Sequence, residues 1–130
     1  MLIGFAKTDI PPRVGVELCG FGPFLNRRSI GIRDRLWARA MAVRVGETTV
    51  VVISNDIIQL SLPDTRRIRQ LVHEETGLAP EHIMVHCTHT HSGPATGTLA
   101  GWGMQDAPYL ETLPRKVAQA AIDALRGLQP

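Results

Sequence analysis

The sequence predicts an α/β fold, a mixed β-sheet flanked by helices, on three observations. Thr49-Val50-Val51-Val52-Ile53-Ser54 is an unbroken β-branched and apolar run. A helical pattern with one apolar stripe follows over residues 61–76, and a second short apolar run, Ile83-Met84-Val85, comes next. Strand, helix, strand at this spacing reads as a βαβ unit, whose ligand edge lies at the carboxyl ends of its strands. At 130 residues the chain suits one domain with enough length for a real core.

Residues 2–6 read as a first strand. Asp9-Ile10-Pro11-Pro12 ends it, because proline lacks the amide donor and restricts its predecessor. Residues 14–18 read as a second short strand. Gly20-Phe21-Gly22-Pro23-Phe24-Leu25-Asn26-Arg27-Arg28 is too rich in glycine and proline for regular structure. Such a loop lines a site or packs its own phenylalanines. Residues 36–45 are expected to form a strand covered on most of both faces, followed by a hairpin turn at Gly46-Glu47. The next run lacks alternation, which predicts a central strand buried on both faces. It ends at Asn55-Asp56. A carboxylate at the end of a buried strand is a candidate site residue; the competing reading is a turn or helix-capping aspartate.

Ser61 can cap the first helix, Pro63 fits its first turn, and Asp64 completes a capping-box spacing. Ile68, Leu71 and Val72 form its apolar stripe, Arg66, Arg67 and Arg69 face water, and Gly77 stops it. His73 and His82 read as surface residues. Residues 95–103 form a lid candidate in which Trp102 either covers a bound lipid or anchors the loop. A last helix starts at Asp106-Ala107-Pro108 and carries Leu110, Leu113, Val117, Ala121, Ala124 and Leu125 on one face. Pro114 inside that pattern implies a kink, or a start near Thr112.

The densest chemistry lies in Val85-His86-Cys87-Thr88-His89-Thr90-His91-Ser92-Gly93-Pro94, which holds three of the five histidines. If the strand continues, alternation points His89 and His91 the same way, with Cys87 behind them. Two imidazoles so placed make half of a metal site for zinc, copper, iron or nickel. The bland alternative is a pair of solvated or hydrogen-bonded histidines. Composition narrows the partners. The net charge of +2 gives no basis for a nucleic-acid partner. Six arginines within residues 27–44 form either an anion-binding patch or a solvated set. Cys19 and Cys87 do not make a disulfide framework. No segment suits a signal peptide or reaches the roughly 20 apolar residues of a transmembrane segment, so a cytoplasmic location is expected.

Taken in order, several segments resemble the neutral/alkaline non-lysosomal ceramidase family. They are Ala6-Lys7-Thr8-Asp9-Ile10, Leu18-Cys19-Gly20-Phe21, Gly31-Ile32-Arg33-Asp34-Arg35-Leu36-Trp37-Ala38-Arg39-Ala40 and Val51-Val52-Ile53-Ser54-Asn55-Asp56, followed by the most specific, Thr88-His89-Thr90-His91-Ser92-Gly93-Pro94. The family often carries two glycines after Ser-Gly-Pro, where this chain has Ala95-Thr96. The resemblance implies a zinc-dependent amidohydrolase of sphingolipid metabolism that cleaves the N-acyl bond of ceramide or a related lipid amide. It makes His89 a zinc ligand and places His91 beside the metal, against the substrate or transition state. Asp56 is the candidate to orient His89 through its other ring nitrogen. Residues 1–130 then form the N-terminal part of a larger catalytic domain, with the remaining metal ligands in sequence beyond Pro130. The alternatives are a non-enzymatic anion- or partner-binding module with structural histidines, and a different His-x-His zinc hydrolase. The metallo-β-lactamase type continues its motif with Asp-His, where Gly93-Pro94 stand here.

Overall fold

The computed structural model describes residues 1–22 and 26–130. Strands β1 (Leu2–Asp9), β2 (Trp37–Val45), β3 (Thr48–Asn55) and β4 (Ile83–Cys87) form one sheet in that order. β1, β2 and β3 are antiparallel neighbours, the last two joined by the Gly46-Glu47 turn. β3 and β4 are parallel, in register from Val51↔Ile83 to Asn55↔Cys87. Helix α1 (Leu62–Thr76) makes the crossover between them, and helix α2 (Ala107–Arg126) follows the histidine segment. The expected βαβ unit is therefore present, within a mixed sheet.

α1 begins where the sequence places it. The Ser61 hydroxyl accepts from the Asp64 backbone N–H at 3.2 Å, and Gly77 closes the other end in the left-handed conformation. α2 begins at Ala107 rather than near Thr112 and runs through Pro114, which is buried. The missing amide deprives the Leu110 carbonyl of its helical partner. The long apolar face of α2 outweighs that loss: Leu113, Val117, Ala121 and Ala124 are all fully buried.

Both helices pack on one face of the sheet. Ala38, Ala40, Ala42, Val51 and Ile53 point inward to meet Ile68 and Val72 of α1 and Leu113 and Val117 of α2. The small β2 side chains let α2 approach closely. At Gly4 of β1 the approach is closer still, since a Cβ there would collide with the Ala124 carbonyl oxygen. The expectation that β2 and β3 are covered on both faces is not met. Phe5, Met41, Val50 and Met84 on the other face are exposed, Phe5 to 72% and Met84 to 56%. An apolar run without alternation permits two-sided burial, and here the described residues cover one side. Residues 14–18 form isolated bridges, Glu17↔Arg28 and Leu18↔Pro94, rather than a strand, because neighbouring residues pair with different segments. Pro23, Phe24 and Leu25 of the expected loop lie outside the described residues. No helix among the described residues is long and apolar enough to cross a membrane.

The contact at Gly4 generates a prediction. Gly4→Ala is expected to push α2 off β1 and cost about 1–3 kcal/mol, the usual range for overpacking. Denaturant unfolding measures it; an unchanged midpoint would mean that α2 can shift away freely.

Candidate active site

Parallel pairing carries β3 and β4 to one edge, and the chain continues to pair past both strand ends. The Asn55 carbonyl accepts from Thr88 N at 2.9 Å, and the Ile57 carbonyl accepts from His89 N at 3.2 Å. β4 itself ends at Cys87. His89 then adopts φ 62°, in the left-handed region that few non-glycine residues occupy. Such a conformation costs on the order of 1–3 kcal/mol and persists where surrounding bonds impose it. The two imidazoles do come together, with centroids 4.9 Å apart and planes at 69°. A turn produces this pairing, not the strand alternation expected from sequence.

His89 Nδ1 lies 2.9 Å from the Ile58 carbonyl oxygen. A carbonyl can only accept, so Nδ1 carries the proton and Nε2 of the neutral ring keeps its lone pair. A metal-binding histidine needs that tautomer, with its second nitrogen tied to a backbone or carboxylate acceptor. Asp56 was expected to be the acceptor. It leaves the same edge, but its carboxylate accepts from Trp37 N at 3.1 Å and from Arg39 Nη1 at 2.6 Å. The bond to His89 comes instead from a main-chain carbonyl two residues on.

The segment from Cys19 to Phe21 packs against His91. Gly20 adopts φ 104°, and a Cβ there would lie 2.5 Å from the His91 Cβ. The Phe21 ring meets the His91 imidazole edge-on, with centroids 5.5 Å apart and planes at 88°. Arg27 donates to the Cys19 and His91 carbonyls. On the other side, Thr96 is buried and its hydroxyl donates to the Gln59 carbonyl at 2.6 Å. Trp102 packs with Cys19, Ile58 and Ala95, so it anchors its loop. A cavity of about 370 Å³ lies beside Thr90 and Ser92, with Pro11, Leu18, Leu36 and Pro94 among its walls.

The other candidates resolve differently. Burial pushes the Cys87 thiol up to about 11, so it is no thiolate at neutral pH. His73 and His82 are exposed, and His86 is exposed on the strand's outer side. Among the described residues, no group of three or more His, Cys, Asp or Glu side chains comes together to hold a metal ion. Arginines 28, 33, 35 and 39 pair with Glu17, Asp34, Asp9 and Asp56. The arginine-rich segment is thus largely matched by carboxylates, which weakens the anion-patch reading. Gly20 and Arg27 lie in the loop that the sequence offered as a site lining, without a role for either, and Ile58 was not singled out. Gly20 and Phe21 both have positive φ, and the Gly-Phe-Gly sequence carries that signal. A main-chain carbonyl leaves no sequence signal at all.

The arrangement defines a class: an α/β protein with a histidine-based candidate active site beyond the carboxyl ends of two parallel strands. Residues 1–108 match the family described as neutral/alkaline non-lysosomal ceramidase, N-terminal, and the chain belongs to that family. Its fold is similar to that of a solved neutral ceramidase from Pseudomonas aeruginosa, at TM-score 0.84 and 22% identity. A solved ceramidase complexed with C2 gives TM-score 0.83, also at 22% identity. Each comparison covers 99% of this chain and 22% of the other. No curated protein matches the chain.

The Gly20 contact is open to test. Gly20→Ala is expected to destabilise the protein by about 1–3 kcal/mol, from strain and overpacking. It is also expected to move the His91 imidazole signals in NMR spectra. Parental signals and an unchanged unfolding midpoint would show that the segment does not press on His91.

Proposed function

We propose that this chain supplies the His89–His91 part of the active site of a zinc-dependent amidohydrolase acting on ceramide or a related lipid amide. The observation that carries the reading is the His89 Nδ1 bond to Ile58, which leaves Nε2 free beside a second imidazole. Membership of the ceramidase family supports it.

In this reading His89 Nε2 is one zinc ligand, and other ligands come from sequence beyond Pro130. Bound zinc would polarise the amide carbonyl and bring the pKa of its water from 15.7 to about 7. His91 stands edge-on to His89, where it can donate a hydrogen bond to the oxygen that turns negative as water adds to the carbonyl carbon. Cleavage of the C–N bond then leaves a fatty acid and a sphingoid amine. Pro11, Leu18, Leu36 and Pro94 give part of the neighbouring cavity apolar walls suited to a lipid chain, while Arg13, Arg33 and Asp34 make the rest of its lining polar.

Two experiments test the reading. In the full-length protein, His89→Ala is expected to lose zinc and ceramide hydrolysis together. His91→Ala is expected to keep most of its zinc and to slow about 10- to 1000-fold, roughly 1.4–4 kcal/mol of transition-state stabilisation. Equal zinc loss in the two variants would remove the distinction in roles. The second experiment uses residues 1–130 alone, with zinc and a short-chain fluorescent ceramide. No turnover is expected, because one or two imidazoles leave zinc largely hydrated, with its water nearer the ~9 of the aqueous ion. Turnover abolished by His89→Ala would show that the chain holds a complete site.

A further inference from the structure

We infer that Arg27 is a positioning residue that sets the orientation of His91. The inference rests on the reading of His91 as the group that meets the substrate amide. Arg27 Nη2 donates to two carbonyls far apart in sequence, that of Cys19 at 2.9 Å and that of His91 at 3.0 Å. The guanidinium also lies over the Phe21 ring, 5.0 Å from its centroid. Phe21 in turn abuts the His91 imidazole. One cation therefore fixes both the backbone from which His91 projects and the ring against which it rests.

The surrounding bonds make this junction stiff. Leu18 N donates to the Arg27 carbonyl at 2.8 Å, and Cys19 N donates to the Gly93 carbonyl at 3.0 Å. The first bond closes the segment bearing Phe21 on itself, and the second, with the Arg27–His91 bond, ties it to both ends of the His91–Gly93 turn. Gly20 leaves no slack, since His91 fills the space a side chain would take. Bonds from a charged donor are roughly twice as strong as neutral ones, and the guanidinium plane adds stacking that an ammonium lacks. Arg28, Arg33, Arg35 and Arg39 meet carboxylates, and Arg28 also donates to the Gly15 carbonyl, whereas both Arg27 bonds go to main-chain carbonyls at the candidate site, one of them that of His91. That difference separates Arg27 from the solvated arginines around it.

A double-mutant cycle in the zinc-loaded full-length protein, assayed with a short-chain fluorescent ceramide, tests the inference. Arg27→Ala is expected to retain zinc and to lower kcat by about 10- to 100-fold, with KM changed less than about 3-fold. In the His91→Ala background the same substitution is expected to cost less than about 2-fold, because the group it positions is gone. An equal loss in both backgrounds would overturn the inference while leaving His91 in its role. Full kcat in His91→Ala alone would overturn the reading of His91, and the inference with it. Arg27→Lys runs through the same cycle, so that a folding defect in Arg27→Ala does not decide the matter. It keeps the charge and donors but not the planar stack. A smaller loss, again confined to the background that has His91, is expected; a loss independent of His91 would count against the inference.

Discussion

The site depends on how the chain leaves two parallel strands. β3 and β4 end together at Asn55 and Cys87, and their pairing does not stop there. Asn55 and Ile57 offer carbonyls to the amides of Thr88 and His89, and Ile58 offers its own to the His89 ring. This ladder holds His89 in a left-handed conformation that an isolated peptide would seldom adopt. The same contacts select the ring tautomer. Backbone pairing thus decides which nitrogen faces outward, before any ligand is considered.

Much of the fold was legible because its signals are local. The cap at Ser61, the stop at Gly77 and the Gly46-Glu47 turn need only neighbouring residues to act. The β3–α1–β4 unit follows from run lengths and the helical stripe. What escaped depends on partners elsewhere in the chain. Residues 14–18 have strand-like composition, yet Glu17 and Leu18 bridge to different segments. Pro114 reads as a breaker, but the buried face of α2 carries the helix through it. The outer residues of β2 and β3 are apolar enough to suggest burial, and Met41 and Val50 are nonetheless exposed.

The site divides along the same line. The pairing of His89 with His91 was legible from their spacing, although the geometry behind it was not. Alternation along a continued strand and a left-handed turn both bring the rings together. Asp56 was placed on the correct edge by topology, but topology does not say which way a side chain turns. Arg39 and the Trp37 amide draw its carboxylate toward β2. Arg27 reaches a carbonyl 64 residues away, a contact no local pattern announces.

The positions of Asp56 and Ile58 have a chemical consequence. A carboxylate bonded to His89 would add negative charge beside the ring and strengthen it as a base. A main-chain carbonyl fixes the same tautomer with a dipole instead of a full charge. It also cannot rotate away, because Ile58 is itself buried and its neighbour Ile57 is bonded to the His89 amide. Asp56 meanwhile accepts from a β2 amide and pairs with Arg39, and so braces the end of β3. Removing its carboxylate would act on His89 through the strand end, by loosening the frame that presents Ile57 and Ile58. Asp56 thus contributes to the placement of the edge that carries His89, and the His89 ring has its hydrogen-bond partner in the backbone.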